Sequence, residues 1–166
     1  MECCEVCRFE WDAIESGELP VRLRSAAAGF RDVLASCDPI VAHHHEPEVW
    51  SLLEYSGHVR DVLFNLRDRI VLGLAEDNPV PKAMFAQVRI DSGLYAADDA
   101  ATLASEIGVA AGLLARTTEA LGEAQLDRPI FYGWPVPATR TLRWVAAQAL
   151  HEAEHHLADA RRLAAG

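Results

Sequence analysis

The chain has 166 residues, of which 51% are apolar and 24% charged, and it carries a net charge of −10. That length and apolar content predict one domain with a sizeable core and exclude wholesale disorder. The acidic balance and scattered Lys and Arg exclude nucleic acid as the main partner, because phosphate backbones demand clustered cations. With no signal-peptide pattern and no run of about 18 apolar residues, a cytoplasmic protein without a membrane partner is expected.

Residues 1–19 read as a Cys-rich arm ahead of a helical domain over residues 20–166. Cys3, Cys4 and Cys7 crowd its start, and Cys37 is the remaining cysteine; this is no disulfide framework. Cys4-x-x-Cys7 offers half of a metal site or a redox dithiol, and no second C-x-x-C completes it. Over residues 20–36, Pro20 suits a first helical turn, and Leu23, Ala27, Phe30 and Leu34 recur on one helical face. Asp38-Pro39 ends that helix. The loop that follows carries His43-His44-His45, which reads as an exposed polar segment rather than a site.

The clearest helix spans residues 51–75. Leu52, Val59, Leu66 and Gly73 interleave with Ser56, Leu63 and Ile70 in a heptad seam, with His58 at its edge. The seam suits packing inside a bundle and equally suits a homodimer. Residues 76–98 are a long connection, with room for short helical pieces. A third helix covers residues 99–121, with Asp98 or Asp99 as N-cap and Gly122 as its stop. Residues 122–140 hold Pro129, Pro135 and Pro137 among Phe131, Tyr132 and Trp134, and read as a pocket wall or a plug on one end of the bundle. The fourth helix covers residues 141–164, with Thr141 as N-cap. No β-alternation of length appears, so the fold class is all-α: a four-helix bundle with long connections between helices 2 and 3 and between helices 3 and 4.

The chemistry concentrates in His151-Glu152-Ala153-Glu154-His155-His156. His151 and His155 share one helical face, and Glu152 and His156 share another about 100° away. Either pair has the spacing to hold one divalent cation. Leu142, Ala146, Ala149, Ala153, Ala160 and Leu163 form the apolar stripe, and Trp144, Gln148, His151 and His155 lie opposite it. Amphipathicity thus puts His156 nearer the core and leaves both pairs open as ligands. Trp50, Glu54, Tyr55, Asp61, Trp134, Trp144 and Gln148 are candidates to line a pocket or orient ligands. No Ser/His/Asp pattern or Gly-rich phosphate loop is present, so the chemistry is expected of a metal.

Three features together resemble one family: the helix Trp50-Ser51-Leu52-Leu53-Glu54-Tyr55-Ser56-Gly57-His58-Val59-Arg60-Asp61, the His151-x-x-x-His155 of the last helix, and their order in the chain. They resemble the DinB-like four-helix bundle superfamily, which includes mycothiol-dependent maleylpyruvate isomerases and bacillithiol transferases. Cys4-x-x-Cys7-Arg8-Phe9 also resembles the Cys-x-x-Cys-Gly-Phe opening of an actinobacterial subgroup, with Arg8 in place of glycine. The resemblance implies one divalent ion, zinc ahead of nickel or iron, held by His58, His151 and His155. In the mycothiol-dependent isomerases the first of the last-helix pair is typically Glu. The implied activity is transfer or conjugation of a low-molecular-weight thiol to a small electrophile. The alternative is a non-catalytic metal- or redox-sensing protein of the same fold, with Cys4 and Cys7 as a second metal or redox site.

Overall fold

The computed structural model describes residues 2–43, 49–95, 97–134 and 136–165. Its order is a 3-10 turn (Trp11–Ala13), α1 (Leu19–Ser36), α2 (Pro39–Ala42), α3 (Leu52–Ala75), α4 (Ala86–Asp91), α5 (Ala100–Glu119), α6 (Glu123–Leu126), β1 (Pro129–Tyr132), β2 (Ala138–Thr141) and α7 (Leu142–Ala164). His44 and His45 lie outside the described residues. Among the described residues no helix is long and apolar enough to cross a membrane.

Three of the four long helices start with a side-chain cap on their free N–H groups. Ser51 accepts from the Glu54 amide while the Glu54 carboxylate accepts from the Ser51 amide, a reciprocal capping box at the head of α3. Asp99 caps α5 and Thr141 caps α7 through their side-chain oxygens. Pro20 sits in the first turn of α1. The helix expected over residues 99–121 stops at Glu119, and Gly122 instead precedes the short α6.

Each of α1 and α3 packs against both α5 and α7, so α1 lies diagonally across the bundle from α3. Leu23, Phe30, Leu52, Val59, Leu63, Ile70, Leu103, Ile107, Leu114 and Leu150 fill the centre. The heptad seam of α3 is therefore consumed inside the monomer, and it gives no argument for a homodimer. Gly57 permits a close approach: a Cβ there would lie 2.6 Å from the Tyr95 ring, which is itself buried.

Two features depart from the sequence expectation. The proline-rich connection contains a short antiparallel hairpin, pairing Ile130 with Arg140 and Phe131 with Thr139. Prolines bar a helix there, and Ile-Phe-Tyr favours extended chain; Ile130 and Tyr132 point inward and the Phe131 amide donates to Pro79 O. The second departure concerns the arm. Phe9 and Trp11 are buried in the common core, packed along α7. Trp11 stacks on Trp144 at 6.0 Å. The face of α7 that its amphipathic pattern left facing water is thus covered by the start of the chain.

Candidate metal centre

Helices α3 and α7 bring His58, Glu152 and His156 together, with one ligand atom of each lying within 4.8 Å of the others. His58 Nε2 lies 3.4 Å from Glu152 Oε2, and His156 Nε2 lies 3.3 Å from the same oxygen. Two atoms bound to one zinc at about 2.1 Å and a tetrahedral angle sit roughly 3.4 Å apart, so this spacing matches a shared ion. The donor set, two imidazoles and a carboxylate, is that of catalytic zinc sites that keep an open position. Among the described residues the Glu152 charge is met by the imidazoles of His58 and His156 and by the Gln148 amide, which donates to Oε1 at 2.7 Å. His58 Nδ1 is buried with no hydrogen-bond partner among the described residues.

The surroundings hold these groups in place. His156 Nδ1 lies 3.0 Å from Asp159 Oδ2, which fixes the ring and leaves Nε2 for the centre. Gln148 accepts from the Trp11 indole N–H at 2.7 Å, so a chain of hydrogen bonds runs from the arm through Gln148 to Glu152. Burial raises the Glu152 carboxyl, but hydrogen bonds from His156 and His58 outweigh it and hold the group well below the usual carboxylate range. Burial likewise opposes charge on His156, yet Asp159 and Glu152 prevail and push its imidazole up to about 9. Trp50 packs on His58 at 5.1 Å and Tyr55 on His156 at 5.1 Å, an aromatic wall on one side of the set.

The next face of α7 carries a second cluster, Cys4, Cys7, His151 and His155, whose ligand atoms also lie within 4.8 Å of one another. The set expected from the resemblance, His58 with His151 and His155, is not brought together; the structure divides it between the two clusters. The division follows from the helix: residues four apart share a face, and His151 and His155 share theirs with the arm, while Glu152 and His156 face α3.

The candidate pocket residues also separate. Trp50, Tyr55 and Gln148 touch the first cluster. Trp144 stacks with Trp11 and donates its indole N–H to Glu2. Glu54 closes the capping box. Asp61 accepts from Arg60, Arg89 and Tyr95. Trp134 is exposed at the hairpin turn. The helical wheel alone placed His156 nearer the core and leaned toward Glu152 with His156; the family resemblance favoured His151 with His155. Neither gave a role to Asp159 or Trp11.

A family model for the DinB superfamily matches residues 22–160, a span that contains all three residues of the first cluster. The chain belongs to the DinB superfamily. Among solved structures, this DinB bundle is similar to YfiT from Bacillus subtilis, described as a probable metal-dependent hydrolase with an unusual four-helix bundle topology. The two share 15% identity with a TM-score of 0.83, over 92% of this chain and 89% of that one. At that identity the likeness speaks for the fold. No curated protein matches the chain.

Proposed function

We propose that this DinB-superfamily chain is a divalent-metal-dependent enzyme acting on a small molecule, and that it joins a low-molecular-weight thiol of the mycothiol type to a small electrophile. The observation that carries the reading is the convergence of His58 Nε2, Glu152 Oε2 and His156 Nε2 on one point between α3 and α7. Zinc, nickel and iron are all compatible with this donor set. A divalent ion held there supplies Lewis acidity, lowering the pKa of a thiol or water that reaches its open positions.

The chain's own residues do the rest. Glu152 contributes the single negative charge of the set, which leaves room for one incoming anion such as a thiolate. Asp159 keeps His156 in the tautomer that offers Nε2. Gln148 and Trp11 fix the second carboxylate oxygen of Glu152. Trp50 and Tyr55 shield one side from water and offer an apolar surface to an electrophile.

The printed description of YfiT favours a second reading, hydrolysis of a small molecule, in which water takes the place of the thiol. One experiment separates the two. Protein loaded with zinc, and separately with nickel, is assayed with a small electrophile in the presence and absence of a cysteine-based low-molecular-weight thiol. Thiol-dependent turnover that disappears in His58→Ala and Glu152→Gln supports conjugation. Turnover without thiol supports hydrolysis. Turnover unchanged in both variants, or after chelation, overturns the metal reading.

A further inference from the structure

We infer that Cys4, Cys7, His151 and His155 form a second, closed metal site, a Cys2His2 zinc site that staples the N-terminal arm to α7. Three observations carry it, independently of the first centre. The first is the donor set and its spacing. Cys4 Sγ lies 4.0 Å from His155 Nδ1, and the four ligand atoms lie within 4.8 Å of one another. Zinc bound at about 2.3 Å to sulfur and about 2.0 Å to nitrogen brings its ligand atoms to roughly 3.3–3.8 Å, so a small side-chain rotation closes the set. Two sulfurs and two imidazoles in tetrahedral reach are the ligands of structural zinc, and four protein ligands leave no open position.

The second observation is His151. Both its ring nitrogens are buried and neither has a hydrogen-bond partner among the described residues. Phe9 and Trp11 pack on the ring at 5.2 and 4.7 Å, holding it against His155 at 5.3 Å. An imidazole enclosed without partners costs free energy unless one nitrogen has a ligand to bind. His155 is oriented in the complementary way: Nδ1 faces Cys4, and Nε2 lies 3.7 Å from Asp159 Oδ2, the carboxylate that commonly backs a metal-bound histidine.

The third observation is the arm's backbone. Residues 3–10 form a small hairpin: Cys3 pairs with Glu10, the Cys4 amide donates to Phe9 O, and the Arg8 amide donates to Cys4 O. The reversal carries Cys4 and Cys7 at its tip, and it puts Arg8 at φ 62, a left-handed conformation that a non-glycine residue adopts at a cost. The strain falls on the residue right after the second cysteine, and both sulfurs lie within reach of the α7 imidazoles. The site's role is then structural. It holds Trp11 where its indole supports Gln148 and, through it, Glu152.

The test uses the full chain, reduced and freed of metal, titrated with Co(II) and with Zn(II). Two equivalents are expected, one of them giving the near-ultraviolet thiolate-to-Co(II) charge-transfer bands. Those bands should vanish in Cys4→Ser/Cys7→Ser and in His151→Ala/His155→Ala, and persist in His58→Ala/Glu152→Gln. Zn(II) should also shield two of the four thiols from alkylation in the wild-type chain, a readout that needs no variant. The inference is overturned if the reduced wild-type chain gives no thiolate bands with Co(II), if all four thiols alkylate equally fast with and without Zn(II), or if the bands survive removal of both histidines. Loss of the first centre alone would lower the stoichiometry to one and leave the thiolate bands and the shielding from alkylation in place.

Discussion

The two faces of α7 carry pairs with the same four-residue spacing, one residue out of step, and they meet different neighbours. Glu152 and His156 face α3 and gain one imidazole, which makes a three-residue set with a single carboxylate. His151 and His155 face the arm and gain two thiols, which makes a closed set. Spacing along a helix therefore says that two residues can share an ion; what packs against that face says which ion and for what purpose. Asp159 stands between the two, 3.0 Å from His156 Nδ1 and 3.7 Å from His155 Nε2, so a single carboxylate orients the one histidine and lies near the other.

The comparison breaks most readily at Glu152. Glu152→Gln keeps the shape but removes the only negative charge of the first set. Calorimetric titration should show metal affinity there falling by more than about 100-fold, with the Co(II)–thiolate bands of the other face unchanged. Asp159→Asn should weaken the first centre by about 10- to 100-fold and the second by less, since the longer contact is the weaker one; competition with a chromophoric chelator reads both.

Acidity gives a third distinction, in the metal-free chain. The His156 imidazolium is held up to about 9 against an ordinary 6.5, so its contribution to stability is full below about pH 6.5 and is lost as the pH rises through about 9. Chemical denaturation across that window should show a loss of order 1–3 kcal/mol that is absent from His156→Gln. Glu152 is depressed, so its contribution is present at neutral pH and is lost only in strong acid. Burial keeps the His151 imidazole below its ordinary value, so that group should contribute no such loss between neutral pH and about 9.

Smaller effects test the link between the faces. Trp11→Phe keeps the packing but removes the donor to Gln148. Its cost should be about 1–2 kcal/mol of stability, with a few-fold fall in turnover and an intact thiolate–Co(II) spectrum. Arg8→Gly relieves a left-handed residue and should tighten zinc at the second site by a few-fold, measured by the same chelator competition.

The frame was legible because its signals are local. The α3 heptads, the Asp99 and Thr141 caps and the proline breaks each act within a few residues. The capping role of Glu54 was local too, yet it was read as a pocket residue, because a carboxylate one turn before His58 fits either role. The division of the α7 histidines was not legible from that helix alone. The partner that covers one face lies 151 residues away at Cys4, and no periodicity within α7 encodes a contact of that range. What α7 did carry was the conflict itself, a polar stripe of Trp144, Gln148, His151 and His155 opposite the apolar one. Such a stripe is resolved by a second layer, which here is Phe9 and Trp11.

The wide sequence separation of these contacts bears on how the molecule is made. His58 and Glu152 are 94 residues apart, and Cys4 and His155 are 151 apart, so neither ligand set exists until most of the bundle has assembled. Cys3, Cys4 and Cys7, by contrast, are neighbours in any conformation. Zinc added to the unfolded chain meets a ready thiol cluster long before His151 and His155 arrive, and a metal that binds the unfolded state opposes folding. Order of addition should therefore matter: refolding into zinc should be slower and less complete than refolding without metal and supplying zinc afterwards.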